Sequence, residues 1–152
     1  MRIWTTILAL VARAVPGGIL LVSGIQKIRA HDWFRETMIK MDVFPIAWIG
    51  PLSGAVPGIE VVLGLALILG VWIRGAALAT AGLYLAFAIL LAELLRRGTP
   101  ALCGCFGPDD AFPVTWSHVV LRIALSLAAF VVVVAWNPGP CIDSWLRRRR
   151  LA

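Results

Sequence analysis

Charge is scarce in this chain. Of its 152 residues only 14% are Asp, Glu, Lys or Arg, while 61% are hydrophobic. A soluble domain carries about a quarter charged residues and about half apolar ones. With a mean hydropathy of +0.91, the shortage excludes an ordinary water-soluble globule. Histidine is nearly missing as well, with only His31 and His118. A closed zinc site takes four ligands, so Cys103 and Cys105 lack the partners for one, and no metal site is assigned. Cu(I) on two thiolates is the weaker metal alternative. Cysteine stops at three, Cys103, Cys105 and Cys141, which leaves no second pair for a two-pair disulfide relay. Repeats and low-complexity tracts are absent, and the chain reads as a single domain over 1–152.

The positives that are present do not make a nucleic-acid face. The formal charge is +6, and Arg147, Arg148, Arg149 and Arg150 supply four of the cations in one block within a basic tail, 137–152. The others stand singly or in pairs, mostly at the ends of apolar runs. That placement suits lipid headgroups and the positive-inside bias, so nucleic acid is set aside as a partner.

What the chain has in abundance is long apolar runs. About 20 apolar residues cross the hydrocarbon core as a helix, and four segments qualify: about 4–27, 51–73, 76–96 and 117–136. Trp4, Trp48, Trp72, Trp116 and Trp136 fall near their ends, where an indole keeps its ring in an apolar layer and its N–H near water. Ala12-Arg13-Ala14 has some look of a signal-peptide cleavage site, but the apolar run resumes at once from Val15 to Ile25, and a retained helix is expected.

Between the first two spans, Trp33, Phe34, Met38, Met41 and Val43 or Phe44 recur at roughly helical spacing with charges between them. This suggests a short amphipathic helix on the membrane surface, ended before Pro45, the alternative being an ordinary polar connector. The expected fold is therefore all-α, a four-transmembrane-helix bundle with a surface helix between helices 1 and 2. Four spans put both termini on one side, yet each side carries six Lys or Arg. The density of the terminal arginine block favours cytoplasmic termini, which sets the CGC loop on the oxidising face, where a disulfide persists.

Arg13, Glu60, Glu93 and Arg122 lie inside the spans, with Lys27 at an edge. An intramembrane charge costs about 2.5–3.5 kcal/mol on insertion scales and wants a partner. Matching depths pairs Glu60 with Arg13 or Arg122, and Glu93 with Arg122 or Lys27. Either these ion pairs fix helix register, or Glu60, Arg122 and His118 shape a polar pocket for a quinone head or for proton transfer. Gly54 and Gly58, with Gly64 further on, invite close helix approach.

The polar break after the third span reads ALCGCFG, 101–107. Arg96 and Arg97 precede it and favour thiolates, while Asp109 and Asp110 oppose them. A disulfide across one intervening residue is strained, and strained disulfides exchange readily. Cys103 and Cys105 therefore suit thiol–disulfide exchange, the alternative being two ordinary thiols in a compact turn. Cys141 follows the last span and falls on the opposite face. It fits a free thiol, a lipidation site or a subunit contact.

Taken together, Arg13 followed by GGILLVSGIQK, then VPGIEVVLGLALILG, LLRRGTPALCGCFG and VTWSHVVLR ending at Arg122 make a chain that resembles the DoxX-like superfamily of four-helix bacterial membrane proteins, and within it the MauE group of methylamine utilisation. The first two segments are loose patterns shared by many relatives, and CGCFG after an arginine-ended third span is the more specific one. The resemblance implies a bacterial inner-membrane protein tied to redox maturation of periplasmic proteins, a thioredoxin-like or substrate protein as partner, and a quinone as acceptor in some relatives. It raises the dithiol reading of Cys103 and Cys105 and marks Lys27 and Glu60 as family positions. Cys141 and the arginine tail depart from the pattern. They leave room for the rival class, a non-catalytic subunit of a larger respiratory or photosynthetic membrane complex.

Overall fold

The computed structural model describes residues 2–98, 102–103 and 112–134. Five helices carry the fold: α1 (Arg2–Arg29), α2 (His31–Met41), α3 (Ile46–Leu69), α4 (Ile73–Arg97) and α5 (Trp116–Val134). A two-residue antiparallel pairing, β1 (Leu102–Cys103) with β2 (Phe112–Pro113), lies between α4 and α5 and sets Cys103 opposite Phe112. The architecture is the expected all-α bundle. Four of the helices, α1, α3, α4 and α5, are long and apolar enough to cross a membrane.

Polarity is arranged inside out. Arg13, Ser23, Lys27, Ser53, Glu60, Thr80 and Arg122 are buried, whereas Val62, Ile89, Val120 and Leu127 lie 60–65% exposed on the outside. In water that surface would be a sticky patch of the kind soluble monomers avoid. Against hydrocarbon it is the natural boundary, and the chain is a multi-pass membrane protein. Trp4 and Trp72 stand exposed at one end of the bundle, Trp48 and Trp116 at the other. Trp136 and the tail fall outside the described residues.

Close packing of α1 on α3 sets the register. A Cβ on Gly24 would stand 2.8 Å from the Pro57 carbonyl oxygen, and one on Gly64 would stand 2.7 Å from that of Gly17. Gly17 and Gly24 on one helix, and Pro57 and Gly64 on the other, are each seven residues apart. A seven-residue period keeps one face toward a neighbouring helix over two turns. Gly54 and Gly58 meet nothing within 4 Å, so the small-residue contact runs through Gly64 with Gly17 and not through that pair. On the second hairpin Ser126 Oγ donates to the Ala81 carbonyl at 2.8 Å, and alanines 76, 77, 81 and 88 of α4 lie buried. The Tyr84 hydroxyl ties α4 to α1 by donating to the Pro16 carbonyl at 2.8 Å.

The second span begins earlier and ends earlier than the sequence suggests, at Ile46 and Leu69 rather than near 51 and 73. Pro51 reads as a first-turn residue, the position proline prefers, but Pro45 takes the opening role and Pro51 is carried inside the helix. At the far end Gly70 adopts φ 70 as the C-cap and Trp72 follows at φ 46. Positive φ is cheap for glycine and uncommon for tryptophan, and the indole of Trp72 folds over Gly75, where a Cβ would come within 2.6 Å of the ring.

The amphipathic connector is α2. Met38 is buried and Trp33, Phe34, Thr37 and Met41 are half-buried, while Asp32, Arg35, Glu36 and Lys40 are exposed. Asp42 closes it in the left-handed region at φ 47, before Pro45 as expected.

Candidate functional site

The buried polar centre forms where α1 and α3 are held closest. Because Gly24 sits against Pro57 and Glu60, Lys27 one turn further along α1 reaches the Glu60 carboxylate. Its Nζ lies 2.5 Å from Glu60 Oε1 and donates to Ser23 Oγ at 3.0 Å, while Ser23 Oγ donates to the other carboxylate oxygen at 3.5 Å. Glu60 is fully buried and Lys27 is 6% exposed. The rings of Phe34 and Phe87 flank the ammonium, with centroids 5.4 and 5.1 Å away, a favourable cation–π arrangement.

This geometry corrects both expected pairings. Glu60 binds Lys27 and neither Arg13 nor Arg122. Arg13 stands 11 residues before Gly24 on α1, about 16 Å along the axis at 1.5 Å per residue, and so belongs to the other half of the bundle. Glu93 binds neither Arg122 nor Lys27. It accepts hydrogen bonds from Arg96 at 2.8 Å and from Arg97 at 2.7 Å, neighbours three and four residues on along the same helix face.

Arg122, on α5, is 5% exposed. Its guanidinium lies over the Tyr84 ring at 5.8 Å and within electrostatic reach of Glu60 and Lys27. Among the described residues no carboxylate forms an ion pair with it. Lys27 and Arg122 both edge a cavity of about 110 Å³ under α2, otherwise walled by Thr37 and by apolar side chains that include Phe34, Met38, Met41, Leu52 and Val56.

His118 does not join them. Its Nδ1 accepts a hydrogen bond from the Thr115 backbone N–H at 3.1 Å and lies 2.8 Å from the Thr115 hydroxyl. Thr115 precedes the first residue of α5, and a third-position side chain that reaches back to the cap N–H is half of a capping box. His118 thus fixes the start of α5, one turn above Arg122. Of the two sulfurs, the Cys103 backbone stands in β1, while Cys105 lies outside the described residues, as do Asp109, Asp110 and Cys141. The cavity, the Lys27–Glu60 pair and β1 occupy the same end of the bundle, where α1 and α4 finish and α3 and α5 begin. Lys27, taken from the sequence as an edge residue, is the member of this centre that sequence reasoning underrated. The signal for it was the matched seven-residue spacing of Gly17 and Gly24 with Pro57 and Gly64.

Fold and centre together define a multi-pass helical membrane protein with a buried lysine–glutamate pair beside an apolar cavity. The family model described as methylamine utilisation protein MauE matches residues 5–136, and the chain belongs to that family. No curated protein and no solved structure matches it.

Proposed function

We propose that this protein is a membrane component of thiol–disulfide exchange, with Cys103 and Cys105 as the exchanging pair and a soluble extracytoplasmic protein as partner. The observation that carries the reading is the position of β1, whose backbone includes Cys103, between α4 and α5 at the bundle end that also holds the buried cations Lys27 and Arg122. The family's link to methylamine utilisation and the resemblance to DoxX-like proteins support it. A Cys103–Cys105 disulfide would be attacked by a partner thiolate to give a mixed disulfide, which the partner's second thiolate resolves. The partner leaves oxidised, and two electrons and two protons remain on the CGC dithiol. A membrane quinone, reduced to quinol, is the acceptor class that would re-oxidise it. In this reading the bundle spans a bacterial inner membrane with its termini in the cytoplasm.

Thiol trapping with a maleimide reagent in intact membranes tests the exchange. The expected result is a mixed population of reduced and oxidised pairs, with Cys105→Ser accumulating a reductant-sensitive adduct to another protein. A pair found always reduced, together with full growth on methylamine of a host carrying Cys103→Ser and Cys105→Ser, would sink the proposal.

A further inference from the structure

The cavity under α2 has a charge problem that the thiol chemistry does not address. Two buried cations, Lys27 and Arg122, stand at its edge, and Glu60 is the one buried carboxylate among the described residues. Glu60 is committed to Lys27 through the short contact to Oε1 and to Ser23 through Oε2. The Tyr84 hydroxyl is committed to the Pro16 carbonyl and offers Arg122 only the face of its ring. Counted over the described residues, the centre therefore carries one net positive charge in a region of low dielectric, located on a guanidinium. A planar fork of N–H donors is the group best shaped to hold a carboxylate by two parallel hydrogen bonds.

The walls specify the rest of the ligand. Met38, Met41, Phe44, Leu52 and Val56 offer it no charge, and thioethers adapt readily to an aliphatic guest. A volume of about 110 Å³ is somewhat below the 150 Å³ or so of an engineered apolar cavity that accepts benzene. It takes a head group and a few carbons, with the remainder of a chain passing out through the partly open side. A phospholipid head with its glycerol and two chains is too large for that space. We infer that the cavity binds an amphiphilic carboxylic acid of the fatty-acid class, its carboxylate on Arg122 and its first methylenes against Met38, Met41 and Val56.

This site goes beyond the exchange reaction and does not rest on it, so protein carrying Cys103→Ser and Cys105→Ser serves for the test. In neutral-detergent micelles decanoate should raise the melting temperature in a saturable way, while decanol should not. Arg122→Gln should weaken the apparent affinity by about tenfold or more, the loss expected when a charge-assisted pair is removed, and Arg122→Lys should keep part of it. Val56→Trp leaves Arg122 in place and fills the cavity, and it should abolish the shift; this variant decides the matter if Arg122→Gln does not fold. An equal response to decanol overturns the inference. So does a shift with phosphatidylglycerol or decylubiquinone in place of decanoate, or an undiminished decanoate response in Val56→Trp.

Discussion

At the scale of single residues, the Lys27–Glu60 contact dominates. Both groups have been taken out of water, and among the described residues the one further full charge in reach is Arg122, which attracts Glu60 and repels Lys27 without forming an ion pair. Removing one partner from a buried ion pair leaves an uncompensated charge and costs about 3–5 kcal/mol, whereas replacing both with apolar groups of similar size is often neutral or better. Lys27→Leu and Glu60→Leu should therefore each lower the unfolding temperature in detergent sharply, and the double variant should recover most of the loss. Additive damage in the double variant would mean that each residue is held by something other than its partner. The sequence displayed both residues and their charges but not their pairing. Lys27 looked like an edge residue because Lys and Arg usually mark where a span ends. The helix instead continues two residues further, to Arg29, and depth counted from the assumed edge left Lys27 out of the partners considered for Glu60, with Arg13 or Arg122 offered instead.

At the scale of helices, what positions that contact is the approach of two backbones. The test compares two glycines of similar sequence context. Gly24→Ala places a methyl 2.8 Å from the Pro57 carbonyl and 3.0 Å from Glu60 Cβ, and neither can move without shifting α3. Overpacking of this kind costs about 1–3 kcal/mol, and it should also loosen the Lys27–Glu60 contact. Gly58→Ala, which meets nothing within 4 Å, should leave thermal stability in detergent unchanged or slightly raised, since alanine is the better helix former. Equal effects of the two substitutions would refute the register. Helix existence was legible from sequence because long apolar windows and the Trp33–Met41 stripe leave little choice. Helix boundaries at Pro51 and Gly70 were less so, since one proline can open a helix or ride inside it. The capping role of His118 was in principle readable from the order Thr115, Trp116, Ser117, His118, but histidine is not the residue usually expected at that third position.

At the scale of the whole molecule, orientation decides whether the CGC segment meets an oxidising compartment. The spanning helices are long enough: the 19 residues of α5 cover about 28 Å at 1.5 Å per residue, close to the hydrocarbon thickness of about 30 Å. The tryptophans at the two ends anchor both faces without telling them apart. From sequence the loop cations balance at six a side, a tie. Lys27, buried inside the bundle on Glu60, is set apart from the loop charges in the expected balance. By four-span topology alone, five Lys or Arg then remain in the loops on the side of Lys40 and Arg97, against six on the side of Arg2 and Arg74, four of the six consecutive in sequence at Arg147–Arg150. Positive residues close to span ends are retained in the cytoplasm, so a green fluorescent protein fused after Ala152 should fluoresce. A membrane-impermeant maleimide added to reduced spheroplasts should label Cys103 and Cys105 but not Cys141. Neutralising the four terminal arginines to glutamine should erode that bias and yield a mixed labelling pattern, while Lys27→Leu, which removes a buried cation, should leave orientation alone. External labelling of Cys141 with protected loop cysteines would invert the assignment, and would place Cys103 and Cys105 on the reducing side, where a disulfide between them could not persist.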